Sequence, residues 1–458
     1  MNTSKLLDQQ RAFFKTQKTR DITYIKDLLK SLKHEIIQHE EAIYNVLEKD
    51  FKKSRFETYL TEIGIVLAEL DLAIKNIRKW SKPRRVIPSI LNFPSSDYIY
   101  SEPYGTVLII GPWNYPFQLI LAPMIAAITA GNTAVIKPSE LTPNTSKLVE
   151  DIIAKVFQKE HVAIIQGGIP ETTDLLTQKW DYIFFTGSVP VGKIVAKAAA
   201  EHLTPVTLEL GGKNPCIIDE TVNLKHTARR LIWGKFLNAG QTCIAPDYLI
   251  VKPEIKAVLI QQLISEIEKA YTDKPQNSLD YPRIVNSKNL NRLTKMLEGV
   301  KIVYGGHYDT TDNYLAPTII DEPNLQSAVM KDEIFGPILP IITYSNENDL
   351  KQIITTYQKP LAFYIFSNRR RYAKRLMAEY SFGGGTINDT MIHFGNHRLP
   401  FGGVGDSGIG AYHGRIGYHT FSHKKAVVKK GNWLDIPLRY APYKGKLRQL
   451  KSMLKWFN

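Results

Sequence analysis

Residues 106–137 read TVLIIGPWNYPFQLILAPMIAAITAGNTAVIK. Two short apolar runs rich in β-branched residues, Thr106–Ile110 and Thr133–Lys137, flank a Gly-Pro turn and an apolar stretch, Ile120–Thr129, of helical length. Strands that are apolar throughout, rather than alternating with polar residues, belong to parallel sheets covered on both faces. The stretch therefore predicts a strand–helix–strand unit. The texture continues outward with a helix over Asn144–Phe157, strands VAIIQ and YIFFT, a helix over Val191–Ala200 and the strand VTLEL ending at Leu210. Strands and helices in alternation predict a doubly wound α/β domain of the nucleotide-binding kind.

After Gly211 and Gly212 the alternation resumes with new elements. Strands PCIID, YLIV, KIVYG, PTII, ILPIIT and AFYIF are separated by helices at Leu224–Phe236, Lys256–Ala270, Asn289–Leu297 and Tyr372–Glu379. This predicts a second α/β domain. Before Gly105, LLKSLKHEIIQHEEAIYNVL and YLTEIGIVLAELDLAIKNIRKW carry apolar residues at i, i+3, i+4 and i+7 and read as two helices. The proline-punctuated segment to Pro103 reads as a linker followed by a strand that pairs elsewhere.

The chain of 458 residues has 43% hydrophobic and 22% charged residues, the balance of a soluble globular protein long enough for two or three domains. Two cysteines, Cys216 and Cys243, fit free thiols in a reducing cytoplasm. The charged N-terminal stretch does not read as a secretory signal, and no run reaches the length of a membrane span. The net charge of +15 is concentrated at the end: from Lys424 onward ten basic residues face a single acid, Asp435. No nucleic-acid-binding module accompanies that charge, so nucleic acid is not an expected partner. Leu447, Leu450, Leu454 and Phe457 recur at helical spacing, with Trp456 beside them, as a basic amphipathic helix. Such a helix either docks on its own protein or a partner subunit, or lies peripherally on an anionic membrane.

Several stretches carry chemistry. FLNAGQTCIAPDY, residues 236–248, sets Cys243 in a short polar segment after a helix, where a turn or helix start favours a thiolate and the Cys243 N–H faces an oxyanion. A lone cysteine is more commonly a small core residue, so the reading depends on partners elsewhere. Asn114, in the turn of IGPWNYPF, is an oxyanion donor of the right kind. FTGSVPVGK follows a strand and opens a helix; Gly187 allows a tight turn, and Ser188 with the first N–H groups suits a pyrophosphate. IKPSE places Lys137 and Glu140 beyond a strand's carboxyl end, where an adenosine ribose would lie. Glu209, between Leu208 and Leu210, is a carboxyl with a raised pKa suited to activating water. EIFGP offers Glu333 and Phe335 in one loop.

Taken together and in this order, these stretches resemble the aldehyde dehydrogenase superfamily. KPSE, GQTCIAPDY, NDT and SGIGAYHG resemble its class 3 and fatty-aldehyde branch over roughly residues 5–445. The resemblance implies a doubly wound NAD(P)-binding domain (1–80 and 104–210), a catalytic domain (211–396), and an oligomerisation arm with a basic tail (81–103 and 415–458). It makes Cys243 the nucleophile, Asn114 with the Cys243 N–H the oxyanion hole, and Glu209 the base. It assigns Trp113, Lys137, Ser139, Glu140, Gly187, Ser188, Gly192, Glu333 and Phe335 to the cofactor, with Glu333 at the nicotinamide ribose. A homodimer is implied and no metal.

The activity so implied is oxidation of an apolar, medium- or long-chain aldehyde to its acid through a Cys243 thiohemiacetal and thioester, the latter hydrolysed by water that Glu209 activates. A carboxylate at Glu140 favours NAD over NADP, whose use stays open. A cysteine hydrolase and a non-catalytic binding protein on the same scaffold are the rival readings. Cys216 reads as a core residue, and His413 as either a structural histidine or one that orients a group near the substrate.

Overall fold

The computed structural model describes residues 3–89, 92–357 and 359–455. Its six-stranded sheet has the order Gly408–Ile409, Val206–Glu209, Tyr182–Thr186, Thr106–Ile110, Thr133–Lys137, Val162–Ile164. The last five strands are parallel, and Gly408–Ile409 is antiparallel to Leu208 and Glu209. The first strand in sequence, Thr106–Ile110, lies inside the sheet, and later strands flank it on both sides. A crevice therefore opens beyond the carboxyl ends, where Ile110 neighbours Phe185.

Every residue of Thr106–Ile110 and of Thr133–Lys137 is buried. The helix between them, Gln118–Ala130, is buried on all sides apart from Ala126, because it is sandwiched between the sheet and the N-terminal helices. A helix apolar all round has that fate.

Those N-terminal helices differ from the two continuous ones expected. The first run breaks at His39 into Ile22–Gln38 and Glu40–Phe51, where His39 leaves helical backbone with φ −101° and ψ 13° while its ring meets the Glu35 carbonyl at 2.7 Å. The second opens with a π-helical turn, Tyr59–Ile63, before Gly64–Trp80. A Cβ at Gly64 would lie 2.9 Å from the Tyr59 carbonyl oxygen, so glycine permits this wide turn. Within it, buried Glu62 pairs with buried Lys53 at 2.9 Å and accepts the backbone N–H groups of Phe117 and Gln118 at 3.2 and 2.8 Å. A carboxylate thus meets the unsatisfied donors at the start of Gln118–Ala130.

A seven-stranded sheet has the order Ile302–Tyr304, Thr318–Asp321, Ile338–Thr343, Tyr248–Val251, Pro215–Ile218, Ala362–Phe366, Gly384–Ile387. All its pairs are parallel except the first. The expected linker contains two strands, Arg84–Val86 and Ser95–Pro103; the longer pairs antiparallel with Ser422–Lys430 through nine residue pairs. At the end, helix Leu447–Lys455 has no buried residue among those described, and its Leu447, Leu450 and Met453 line a shallow groove with Ile436, Leu438 and Tyr443 of the same chain; Trp456 and Phe457 lie outside the described residues. Among the described residues no helix is long and apolar enough to cross a membrane.

Candidate active site

Helix Leu224–Phe236 ends in a tight loop whose Asn238, Ala239 and Gly240 have φ of 54°, 50° and 73°. Left-handed backbone is unfavourable for residues with a Cβ, and side-chain hydrogen bonds hold it here. Asn238 Nδ2 donates to the carbonyls of Asn114 (2.8 Å) and Gln241 (3.2 Å). Asn114 Nδ2 donates to the same Gln241 carbonyl at 3.0 Å. Gln241 Nε2 donates to the carbonyls of Asn238 and Arg283, and Gln241 Oε1 accepts from Val285 N–H. Gly240 is required by proximity as well as by φ: a Cβ would sit 2.3 Å from the Gly336 carbonyl oxygen. Tyr115 and Thr242 pair their hydroxyls at 2.6 Å, and Asn214 Nδ2 donates to the Cys243 carbonyl at 2.8 Å.

The six-stranded sheet thus contributes Asn114 and Tyr115 to a loop that belongs to the other half of the chain. Cys243 is half-buried in a turn, not at a helix N-terminus. The helix dipole expected to favour a thiolate is therefore missing. Burial, followed by the nearby carboxyls of Glu333 and Glu209, holds the thiol well above its ordinary pKa, against the smaller pull of the Cys243 and Ile244 N–H groups.

Cys243 opens into a cavity of about 500 Å³ whose walls are mainly apolar: Leu60, Ile65, Leu119, Trp233, Phe394 and Phe401. Among the described residues no histidine lines it, which counts against a Cys–His hydrolase. Glu209 lines the same cavity from the end of strand Val206–Glu209, opposite Thr186. Both its carboxyl oxygens are buried without a hydrogen-bond partner among the described residues, and burial raises its pKa well above the carboxylate range, as the sequence suggested.

Across the crevice, Trp113 and Phe335 meet edge to face with centroids 5.3 Å apart. Beside them Glu333 is packed so tightly on Gly211 that a Cβ there would fall 2.0 Å from Oε2. Burial and Asp247 push its carboxyl up to about 8, and Oε1 has no partner among the described residues. Lys137, buried, donates to the Pro138 carbonyl at 2.6 Å and lies 3.7 Å from the exposed Glu140. Ser139 serves its own turn, accepting from Leu141 N–H at 3.2 Å. Gly187 does not have positive φ; a side chain is excluded by Phe185, whose ring would lie 2.5 Å from its Cβ, and Gly187 N–H donates to the Glu209 carbonyl at 3.0 Å. Gly192 is excluded in the same way by Leu210. Ser188 is the N-cap of helix Val189–Ala200 and makes no capping bond among the described residues, so the first N–H groups remain available to an anion.

Cys216 is fully buried in strand Pro215–Ile218, as expected of a core residue. His413 packs behind the cavity wall, its ring 4.7 Å from Phe394 and 5.3 Å from Phe401. That wall and Asn238 were not visible in the sequence. Met391–Asn396, Phe401 and Tyr412 lie far from Cys243 along the chain and carry no local pattern; the Asn-Ala-Gly sequence at 238–240 was the available sign of a left-handed loop.

The aldehyde dehydrogenase family model matches residues 2–427. The 4,4'-diaponeurosporen-aldehyde dehydrogenase of Staphylococcus aureus is 47% identical over 447 residues, 97% of each chain. A dimeric NADP-preferring aldehyde dehydrogenase of Canis lupus familiaris is 42% identical over 97% of this chain and 98% of its own. The substrate-bound structure of Staphylococcus aureus AldH superposes with a TM-score of 0.97 at 46% identity, covering 99% of this chain and 100% of that one. With this geometry and these likenesses, the chain belongs to the aldehyde dehydrogenase family.

Proposed function

We propose that the chain oxidises an apolar aldehyde to the carboxylic acid, with Cys243 as nucleophile. The observation that carries this reading is the meeting of Cys243 and an unpartnered, buried Glu209 in one apolar cavity, with Asn114 tied to the cysteine loop. The Cys243 sulfur adds to the carbonyl carbon while Asn114 Nδ2, whose second N–H is free of the Gln241 bond, and the Cys243 backbone N–H receive the developing oxyanion. Burial raises the pKa of the resting thiol, so its proton needs an acceptor as the sulfur adds: Glu209, the carboxylate in the same cavity, takes it and releases it to solvent before hydrolysis. Glu209, deprotonated, then takes a proton from the water that hydrolyses the thioester.

The residues on the other side of the crevice fit a dinucleotide. Glu333 Oε1 is a buried acceptor awaiting a donor such as a ribose hydroxyl, and the uncapped helix at Ser188 suits a pyrophosphate. Glu333, Phe335, Trp113, Ser188 and the Gly187 turn would hold NAD or NADP, with Lys137 and Glu140 near the adenosine ribose. When bound, this cofactor supplies the hydride acceptor. The dog relative's name gives NADP preference, while Glu140 favours NAD here; both cofactors are within the proposal.

The sheet of Ser95–Pro103 and Ser422–Lys430 leaves Tyr100 and Val428 exposed and is proposed as the homodimer arm, in keeping with the dimeric relative. Helix Leu447–Lys455 exposes Leu447, Leu450 and Leu454 between basic residues, which supports contact with an anionic membrane surface from the cytoplasm. The central test is formation of reduced cofactor from NAD or NADP with aliphatic aldehydes. Cys243→Ala should abolish it; equal rates in wild type and Cys243→Ala would overturn the reading.

A further inference from the structure

We propose that Glu69, His397 and His413 form a zinc-binding site behind the wall of the substrate cavity, independent of the aldehyde chemistry and contrary to the expectation of no metal. One ligand atom from each of the three side chains lies within 4.8 Å of the other two. Glu69 comes from helix Gly64–Trp80, His397 from the loop after Ile392–Gly395, and His413 from the residue before helix Gly414–Thr420. Two imidazoles and one carboxylate are a ligand set that zinc takes when its fourth position is left to water.

The Glu69 carboxylate already holds one of the two imidazoles. Its Oε1 meets His397 Nδ1 at 2.8 Å and accepts the Gly414 N–H at 3.3 Å. His413 is 3% exposed, and its Nδ1 is buried with no hydrogen-bond partner among the described residues. A buried imidazole nitrogen left unpaired is unfavourable unless something occupies it, and the aromatic rings of Phe394, Phe401 and Tyr412 fix the imidazole in place. His397 is the movable member: its side chain is 24% exposed, and its neighbours Arg398 and Leu399 are exposed. Zinc–ligand bonds of about 2.0–2.2 Å bring neighbouring ligand atoms to about 3.4 Å. The 2.8 Å between Glu69 Oε1 and His397 Nδ1 is shorter than that, so an ion takes the place of the proton between them and moves the two atoms apart; the exposed His397 loop supplies that movement along with a route of entry.

Phe394 and Asn396 line the cavity just before His397, and Ile65 lines it from the helix that carries Glu69. A bound ion would pin the cavity-wall loop to that helix.

The test uses the full chain with Cys243→Ser, which removes the one thiol that opens into the cavity and would compete for metal, and reads binding rather than turnover. Equilibrium dialysis with zinc should give one ion per chain, and cobalt in its place should give the intense visible absorption of a tetrahedral centre. His413→Gln and His397→Ala, added separately, should each weaken zinc binding at least tenfold. Glu69→Gln, which keeps side-chain volume, gives the same reading if a histidine variant fails to fold, as judged by its metal-free melting curve. Absence of saturable binding, or folded variants that bind zinc as tightly as their parent, overturns the site.

Discussion

Asn114 Nδ2 donates to the Gln241 carbonyl at 3.0 Å, joining the turn after one sheet's central strand to the peptide two residues before Cys243. Asn238 closes the triangle by donating to both Asn114 and Gln241 carbonyls. Asn238→Ala leaves a buried acceptor without its donor and should cost about 1–3 kcal/mol in urea unfolding. Because displacing reacting groups by about 1 Å costs on the order of a hundredfold in rate, kcat should fall about 10–100-fold while the KM for aldehyde changes little. Asn238→Asp, similar in size but without the N–H donors, should fail alike in steady-state assays.

Glu209 is expected to separate the two halves of the reaction. With Glu209→Gln, acylation of Cys243 proceeds more slowly, its proton passing directly to solvent, and hydrolysis does not proceed, so rapid mixing should show one equivalent of reduced cofactor followed by turnover slowed at least about a hundredfold. Burial raises the carboxyl's pKa, and a base works only when deprotonated. Wild-type kcat should therefore climb with pH above the ordinary carboxylate range. A kcat flat from pH 6 to 9 would remove Glu209 from the base role.

Glu140 is exposed and lies 3.7 Å from Lys137, so its charge faces solvent on the proposed ribose side. Two like charges about 4 Å apart repel by about 1 kcal/mol in water and more near a protein surface. Glu140→Gln should lower the KM for NADP about tenfold relative to that for NAD, measured with a single aldehyde.

The sheets were legible because Thr106–Ile110, Thr133–Lys137 and Tyr182–Thr186 are apolar throughout, a pattern that burial on both faces imposes locally. Motifs at strand ends were legible for the same reason: Asn114 and Glu209 follow directly from where a strand stops. The resting state of Cys243 was not, because its raised pKa depends on burial and then on Glu333 and Glu209, all of them supplied by the fold. Gly187 reads along the chain as a turn requirement, whereas the Phe185 ring is what excludes a side chain there. Tyr412 reaches the cavity because its segment is pinned by Phe184, ring to ring at 5.1 Å, a contact across more than two hundred residues that no periodicity encodes.

The cavity beside Cys243 is walled by Leu60, Ile65, Leu119, Trp233, Phe394 and Phe401, so each methylene of a substrate gains about 0.8 kcal/mol of burial until the space is filled. kcat/KM should rise about fourfold per added carbon along a series of straight-chain aldehydes and then level off. Leu119→Gln should flatten that slope without altering the rate with the shortest member. A uniform fall across the whole series would instead mean that Leu119 positions Cys243 and does not select the chain.

Glu57 carries the clearest stability signature. It is buried beside Lys53 and the backbone N–H of Asn238, and burial pushes its carboxyl up to about 7. In the unfolded chain it titrates near 4.3. The folded protein therefore holds a proton that the unfolded chain releases between about pH 4.3 and 7. Stability is full below that window, falls as pH rises through it, and stays lower above. The deficit is on the order of 3–4 kcal/mol, because a tenfold change in proton affinity is worth about 1.4 kcal/mol and the value of about 7 already includes the opposing pull of Lys53. Glu57→Gln removes the ionisation and should be more stable than wild type by about that amount at pH 8.5, yet nearly equal to it at about pH 4, below the window, in urea unfolding at both pH values. A difference that is the same at the two pH values would show that Glu57 stays ionised in the native protein and that its buried surroundings do not govern its proton.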